Sequence, residues 1–145
     1  MSDRKHTCAV DATGELWCWG GNDDNELAGG DDNADEQLRP FRIAALGKTV
    51  TDVVAAETGT CAQTLNGPRC WGDNFFGQLG DGTTVSRSTP TPVVSLDVAA
   101  RPAMGTAHSC ALSDGEVYCW GDNARGELGL GTFAVAPSPV AVAFL

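Results

Sequence analysis

Six cysteines are the residues of this chain best suited to chemistry, and they fall into three pairs. The pairs are Cys8 with Cys18, Cys61 with Cys70, and Cys110 with Cys119. Thiols at such separations could form disulfides, bind zinc, or remain reduced in a core. Each pair brackets a short segment with a turn signal, so the turn geometry distinguishes among these possibilities.

The turn in the third pair places its cysteines opposite each other. Asp114-Gly115 has the residues of a type I′ two-residue turn, closed by Ser113 and Glu116. Counting outward sets Cys110 against Cys119 at a non-hydrogen-bonded position, where Cα atoms approach to about 4.5 Å. Disulfides span about 4.4 to 6.8 Å between Cα atoms, so the register predicts a disulfide across this hairpin.

The other two hairpins need different turns. Residues 11–14 predict a type I turn followed by a left-handed Gly14, which still sets Cys8 against Cys18. In the second hairpin, the cysteine spacing places Leu65-Asn66 at the tip, whereas Asn66-Gly67 is the better turn dipeptide. These two alternatives stay open for the second hairpin.

Disulfides are the interpretation that fits all six cysteines. Zinc modules hold their cysteines closer together, and only His6 and His108 could add ligands. Reduced thiols would suit a cytosolic protein, but complete pairs with no cysteine left over favour an oxidising compartment. We therefore expect an extracellular or cell-surface location. No signal peptide follows Met1, so this hypothesis requires a sequence truncated at its N-terminus.

The cysteine pairs belong to an internal repeat. Cys8, Cys61 and Cys110 are 53 and 49 residues apart, and a period near 50 is typical of solenoids and propellers. We place the repeats at about 6–44, 48–96 and 97–145, within one unit covering 1–145.

The repeat resembles that of the regulator of chromosome condensation family. The shared elements are H-[ST]-C-A-L, D-G-x-V-Y-C-W-G-D-N and G-[QE]-L-G, followed by a proline and a strand. The third repeat, His108 to Gly129, follows this pattern most closely, whereas Asn25 and Ala28 replace two glycines in the first. The resemblance covers nearly the whole chain. It implies a β-propeller, usually seven-bladed, with four strands per blade, and the paired cysteines resemble a secreted bacterial branch more than the nuclear exchange factor.

The residues independently predict an all-β fold. Short β-branched runs are separated by Gly, Pro, Asn and Asp, and no helix is indicated. In the second repeat a glycine-rich loop leads to a predicted strand at Pro92–Leu96. Further strands lead into the later hairpins at Val50–Ala56 and Val98–Met104, and Arg101-Pro102 predicts a bulge or an edge in the latter.

Strand counting predicts three incomplete blades of antiparallel strands. It gives eleven strands, one short of three four-stranded blades, because only Met1–Lys5 precede His6. The chain also reaches its end at Pro139–Leu145. Closed propellers need about four to eight blades, so we expect part of a six- or seven-bladed ring. Two copies head to tail would approximate six blades, although a polypeptide with more repeats is the simpler account. Open blade edges would favour self-association.

The net charge and composition of the chain limit the classes of partner that it is expected to bind. A net charge of −10, with nine Lys and Arg, argues against nucleic acid, because phosphate binding draws on clustered basic residues. No apolar run is long enough to insert across a membrane. The acidic loop at residues 31–36 has oxygen ligands suited to calcium, but its order does not match an EF-hand. We interpret it as a solvated loop and expect no cofactor and no metal.

No motif indicates catalysis. The chain has no nucleophile elbow, P-loop or dinucleotide fingerprint. His6 and His108 share a motif position that Gly59 fills in the second repeat, which favours a structural role. We therefore expect a non-enzymatic protein-binding module with an unknown protein partner. The alternatives are a structural array in a larger secreted or cell-surface protein, a guanine-nucleotide exchange factor, or a carbohydrate-active enzyme using a carboxylate pair.

The candidate binding face comes from comparing the repeats. Within W-G-x-N-x-x-[GN]-x-L the frame is kept, and its Trp and Asn residues suit blade packing and loop organisation. The two residues after Asn change completely: Asp23-Asp24, Phe75-Phe76 and Ala124-Arg125. Since equivalent propeller loops gather on one face, we expect an acidic, aromatic and basic row, and aromatic and Arg anchors suit protein recognition. The alternative is that Phe76 packs against its own blade and the variation is drift.

Overall fold

Antiparallel β-strands account for nearly all the regular structure of the chain. A computed structural model describes residues 5–29 and 36–144, and these ranges contain eleven strands in three sheets. Sheet 1 comprises β1 (His6–Val10), β2 (Leu16–Gly21) and β3 (Glu36–Arg42). Sheet 2 comprises β4 (Val50–Ala55), β5 (Gly59–Thr64), β6 (Gly67–Gly72) and β7 (Arg87–Pro92). Sheet 3 comprises β8 (Arg101–Met104), β9 (His108–Ser113), β10 (Glu116–Gly121) and β11 (Ala136–Ala141). A short 3-10 helix, Ala44–Leu46, lies between sheets 1 and 2.

Each sheet is a meander in which strands adjacent in sequence are paired, which is the connectivity of a propeller blade. The predicted all-β class and the count of three, four and four strands are therefore confirmed. Within the described ranges, no strand precedes β1 in sheet 1, so β1 is an edge. The acidic loop at 31–36 lies outside the described residues except for Glu36.

The first and third hairpins have the predicted turns. Asp114 and Gly115 have φ of 50° and 80°, as a type I′ turn requires, and Cys110 pairs with Cys119. In the first hairpin, Gly14 has φ of 83° and donates its N–H to the Asp11 carbonyl at 3.1 Å.

The structure distinguishes between the two turn positions predicted for the second hairpin. Thr64 pairs with Gly67, so the tip is Leu65-Asn66, as the cysteine spacing predicts. Gly67, with φ of 102°, follows the tip rather than occupying it.

Disulfides join all three pairs within their own hairpins. They connect Cys8–Cys18, Cys61–Cys70 and Cys110–Cys119, with Cα atoms 4.1, 4.1 and 4.0 Å apart. Each bond cross-links the two strands of the hairpin that carries the repeat motif.

The prediction of a strand at Pro92–Leu96 was wrong, because β7 ends at Pro92. Val93 still donates its N–H to the Pro68 carbonyl at 3.1 Å, but its side chain is buried in the core, and the chain then leaves the sheet, with Ser95 at a left-handed φ of 60°. The last strand of every sheet is an edge strand, so its prolines interrupt no interior ladder. The predicted edge position of Arg101-Pro102 is confirmed, because β8 is the edge of sheet 3.

The hydrophobic core lies between consecutive blades. Trp71 and Trp120 are fully buried. Trp71 packs in one cluster with Leu16 and Leu27 of the first blade, and Trp120 packs with Leu79 of the second. These contacts confirm blade packing as the role of the repeated tryptophan. Trp19, in the first blade, is only partly buried.

Candidate interaction loops

An asparagine, buried in the second and third blades and partly buried in the first, organises the loop that follows each Trp-Gly step. The side-chain Oδ1 of Asn22, Asn74 and Asn123 accepts the backbone N–H of a leucine five residues later, at 3.1, 3.0 and 3.1 Å. These leucines are Leu27, Leu79 and Leu128, and all three are buried. The asparagine therefore ties the start of the loop to a core residue.

The asparagine Nδ2 closes the far side of the loop in the second and third blades. Asn74 donates to the carbonyls of Thr83 and Val85 at 3.1 and 3.0 Å. Asn123 donates to those of Thr132 and Ala134 at 2.9 and 3.0 Å. The predicted loop-organising role is thus confirmed.

A second side chain fixes the variable positions themselves. The carboxylate or amide oxygen of Glu26, Gln78 and Glu127 accepts a backbone N–H two residues earlier. The donors are Asp24, Phe76 and Arg125, at 2.9, 3.0 and 2.9 Å. The sequence alone did not predict this role, although the [QE] position of the repeat motif carries all three residues. The backbone under the variable side chains is consequently held at both ends.

The variable side chains differ in exposure as well as in chemistry. Phe75 is 73% exposed, whereas Phe76 is partly buried and meets the Phe75 ring edge-on at 5.0 Å. Ala124 and Arg125 are exposed, Asp23 is exposed, and Asp24 is partly buried. Their arrangement as one continuous row stays a prediction.

Two further apolar side chains occupy the same loops. Val85 is 60% exposed and Phe133 is 74% exposed. Each lies within or beside the segment whose carbonyls accept the asparagine Nδ2. The repeat comparison did not reveal them because they lie eleven and ten residues after the loop asparagine, beyond the constant frame of the motif. With Phe75 they are the large apolar side chains that these loops expose in the second and third blades.

The pKa values of two carboxyl groups in the loops, those of Glu26 and Asp81, are shifted in opposite directions. Burial raises the pKa of Glu26, helped by the negative charges of Asp24 and Asp23. Burial also disfavours ionisation of Asp81, but hydrogen bonds from Thr83 and Arg87 together lower its pKa. The Arg87 guanidinium lies 2.7 Å from the Asp81 carboxylate. Asp81 therefore stays charged and braces the second loop.

The described residues form no site with evident catalytic or metal chemistry. No group of three or more His, Cys, Asp or Glu side chains in this part of the chain could hold a metal ion. A cavity of about 410 Å³ beside the third blade is lined by residues 115–117 and 141–144, with Glu116 its one ionisable group among them. In the described part of the molecule, no helix is long and apolar enough to cross a membrane.

Family comparisons place the repeats in a known group. The family model described as the regulator of chromosome condensation (RCC1) repeat matches residues 70–112 and 114–145, and a second model with that description matches residues 4–26. Together these matches cover the first motif, nearly all of the third, residues 70–74 of the second, and more than half of the chain.

Curated relatives share these repeats within longer proteins. The chain is 36% identical over 109 residues to the human E3 ubiquitin-protein ligase HERC2, covering 72% of this chain and 2% of the ligase. It is 41% identical over 81 residues to the zebrafish protein RCC2 homolog, covering 53% of this chain and 16% of that one. It is 30% identical over 113 residues to the mitochondrial RCC1 domain-containing protein RUG3 of Arabidopsis thaliana, covering 75% and 25%. The chain thus spans at most a quarter of these relatives.

Solved structures share its fold. A chain in the crystal structure of Kap60 bound to yeast RCC1 (Prp20) superposes with a TM-score of 0.85 at 20% identity, covering 99% of this chain and 36% of that one. The crystal structure of Prp20p from Saccharomyces cerevisiae gives 0.84 at 20% identity, covering 99% and 37%. Human WBSCR16 gives 0.78 at 26% identity, covering 97% and 38%. The three blades are therefore a segment of β-propeller architecture.

Proposed function

Because the chain belongs to the regulator of chromosome condensation repeat family, we propose that it is a non-enzymatic module that binds a protein through its Asn-anchored loops. The observation that carries this proposal is Phe75, 73% exposed on a loop whose backbone is held by Asn74 and Gln78. An exposed aromatic ring on a rigid turn loses little conformational entropy on binding.

The energetics favour recognition of an apolar surface. Burial of a Phe side chain contributes about 1.5 to 3 kcal/mol, and Phe133 offers a second exposed ring in the next loop. Arg125 adds a planar donor that suits a carboxylate on the partner. The expected partner is a protein surface with an apolar pocket and an acidic group beside it.

Structural neighbours support protein recognition in this architecture. One is the crystal structure of Kap60 bound to yeast RCC1, and another concerns the binding properties of Prp20p to Gsp1p and histones. The identity of 20% carries none of these partners to this chain. Nucleic acid is not proposed as a direct partner because the chain has nine basic residues and a net charge of −10.

The test is affinity for a protein recovered with the 145-residue chain. Phe75→Ala and Arg125→Ala should each weaken the measured Kd by about tenfold, which corresponds to about 1.4 kcal/mol. The matched controls are Phe144→Ala, which removes a ring that is 78% exposed outside these loops, and Arg101→Ala on an edge strand. Melting temperatures of all four variants should stay within a few degrees of the wild type. Equal affinities for the loop variants and the controls would contradict the proposal.

The three disulfides favour a second candidate, a structural array within a secreted or cell-surface protein. Each bond closes a loop of about ten residues, which stabilises a domain by roughly 2.5 to 3 kcal/mol in the chain-entropy model. Such bonds persist in oxidising compartments. Alkylation of intact source cells with a membrane-permeant reagent tests this location, because six labelled thiols would place the protein in a reducing compartment.

A further inference from the structure

Met104, the last residue of β8, carries the one sulfur atom in the described part of the chain that is not held in a disulfide. All six cysteines form disulfides, so no free thiol competes with this thioether for an oxidant. A thioether takes up one oxygen atom from a peroxide, which converts an apolar side chain into a polar sulfoxide. Met104 is partly exposed, which gives a small oxidant access to it.

The Met104 side chain packs at the contact between the second and third blades. Its sulfur lies 3.7 Å from the sulfur of Cys61, which is only 1% exposed. Its terminal methyl group lies over Gly59, since a Cβ atom added at Gly59 would come within 2.8 Å of it. A sulfoxide oxygen would therefore add both bulk and an uncompensated polar atom to a closely packed contact.

Comparison of two blade contacts shows why a large side chain stands at this position. In the contact between the first and second blades, His6 occupies the motif position of Gly59, and Ala55 occupies the strand position of Met104. The first contact thus combines a large residue with Ala, whereas the second combines Gly with a large residue. Met104 therefore compensates for the side chain that Gly59 lacks.

Two hydrogen bonds connect the neighbourhood of Met104 to the second candidate loop. The carbonyl oxygen of Thr106, two residues after Met104, accepts the Thr58 hydroxyl at 3.1 Å. The Thr58 carbonyl in turn accepts the Asp73 N–H at 2.9 Å. Asp73 begins the loop that carries Phe75, and its carboxylate accepts the Phe75 N–H at 3.2 Å. A displacement of the chain at Met104 would therefore reach the start of this loop.

We propose that Met104 is an oxidation site whose sulfoxide loosens the contact between the second and third blades. A peroxide transfers one oxygen atom to the Met104 sulfur, so that an S–O bond forms as the peroxide O–O bond breaks. The sulfur is oxidised, and hydrogen peroxide is reduced to water. The polar side chain then packs less well against Cys61 and Gly59, and the hydrogen bond from Asp73 to Thr58 opens more often. Methionine sulfoxide reductases restore the thioether, so the modification is reversible.

Treatment of the 145-residue chain with hydrogen peroxide tests this proposal. Peptide mapping should find one added oxygen atom on Met104, and the oxidised protein should melt at least about 3 °C lower than the untreated one. Hydrogen exchange at the Asp73 amide should be faster after oxidation. Met104→Leu keeps the apolar bulk, so its melting temperature should be unaffected by peroxide. Met104→Gln should lower the melting temperature without peroxide, because it places a polar group at the same contact.

The matched control moves the thioether to an exposed position. The double variant Met104→Leu with Leu65→Met places a methionine at a hairpin tip where the native side chain is 69% exposed. Oxidation there should leave the melting temperature unchanged. The proposal would be overturned if Met104 stayed unmodified under conditions that oxidise the methionine introduced at position 65. Equal melting temperatures before and after complete oxidation of Met104 would also overturn it.

Discussion

The indole N–H of Trp120 donates to the carbonyl oxygen of Gln78 at 2.9 Å, although the two residues lie 42 positions apart in consecutive blades. The Gln78 side chain meanwhile accepts the Phe76 backbone N–H at 3.0 Å. One residue thus links the core junction between blades to the turn that carries the exposed Phe75. Packing between blades and the conformation of the candidate interaction loops are therefore connected through one residue.

Loss of the junction donor should destabilise the fold. In Trp120→Phe, the Gln78 carbonyl keeps the Ser109 hydroxyl but loses the indole, and a smaller ring leaves a void in the core. We expect a loss of about 2 to 3 kcal/mol in the free energy of unfolding, measured with urea. Trp17→Phe is the control, because its N–H bonds an exposed Asp11 carboxylate at 3.0 Å. Equal losses in the two variants would contradict a special role for the junction.

Removal of a single disulfide should measurably lower the free energy of unfolding. Simultaneous replacement of Cys61 and Cys70 by Ala should lower the free energy of unfolding by about 2 to 3 kcal/mol. Non-reducing peptide mapping of the wild type should recover only cross-links within single hairpins. A peptide that joins two different hairpins would show that the assigned registers are not those of the folded protein.

Local signals in the sequence were sufficient for the hairpins. The backbone preference of Asp114-Gly115 is enough to determine the turn type of the third hairpin. In the second hairpin the spacing of Cys61 and Cys70 predicts the tip correctly and the turn dipeptide does not, because a cross-link fixes the register of the two strands. The strand predicted at Pro92–Leu96 failed for a tertiary reason. Val93 is 7% exposed in the core between two blades, and no local pattern reports that burial.

The candidate loops were found only in part. Repeat comparison identified Phe75 and Arg125 because the frame around them is constant. It missed Phe133 because that residue lies ten positions after the loop asparagine, beyond the constant frame. It missed the dual role of Gln78 because a carbonyl that accepts hydrogen bonds from the next blade has no side-chain signature. Contacts between blades depend on three-dimensional stacking, which a single repeat does not encode.

Among the side chains that hold the loops in place, the asparagine should be the one whose substitution destabilises the protein most. Asn74 is fully buried and makes hydrogen bonds to the Leu79 N–H and to the carbonyls of Thr83 and Val85. Asn74→Ala leaves these groups unpaired and should cost about 2 to 4 kcal/mol. Hydrogen exchange should show the amide of Leu79 losing protection first.

Asn66→Ala is the matched control for that change. Asn66 is exposed at the tip of the second hairpin, where substitution should alter stability by less than about 0.5 kcal/mol. Wild-type-like stability and unchanged protection in Asn74→Ala would show that the loop keeps its shape without the amide.

A buried histidine at the contact between the first and second blades should make the stability of the protein depend on pH. The His6 Nε2 lies 2.7 Å from the Thr60 hydroxyl oxygen, and that hydroxyl donates to the Glu26 carbonyl, so the neutral ring donates through Nε2. The ring is 9% exposed, and its Nδ1 has no partner in the described part of the chain. Burial accordingly lowers the pKa of His6 from its usual 6.5 to about 4.

The sign of the effect follows from proton binding. Between pH 6.5 and 4 the unfolded His6 takes up a proton that the folded ring does not, so its contribution to stability is complete above pH 6.5 and falls as the pH drops towards 4. Glu26 acts in the opposite direction, because a raised pKa favours the protonated folded state on acidification. The difference between wild type and His6→Gln isolates the histidine. From pH 7 to pH 4 the wild type should lose about 3 kcal/mol more than the variant in urea unfolding. Parallel pH profiles for the two proteins would mean that His6 titrates normally in the folded state and that the junction around Thr60 admits a charged ring.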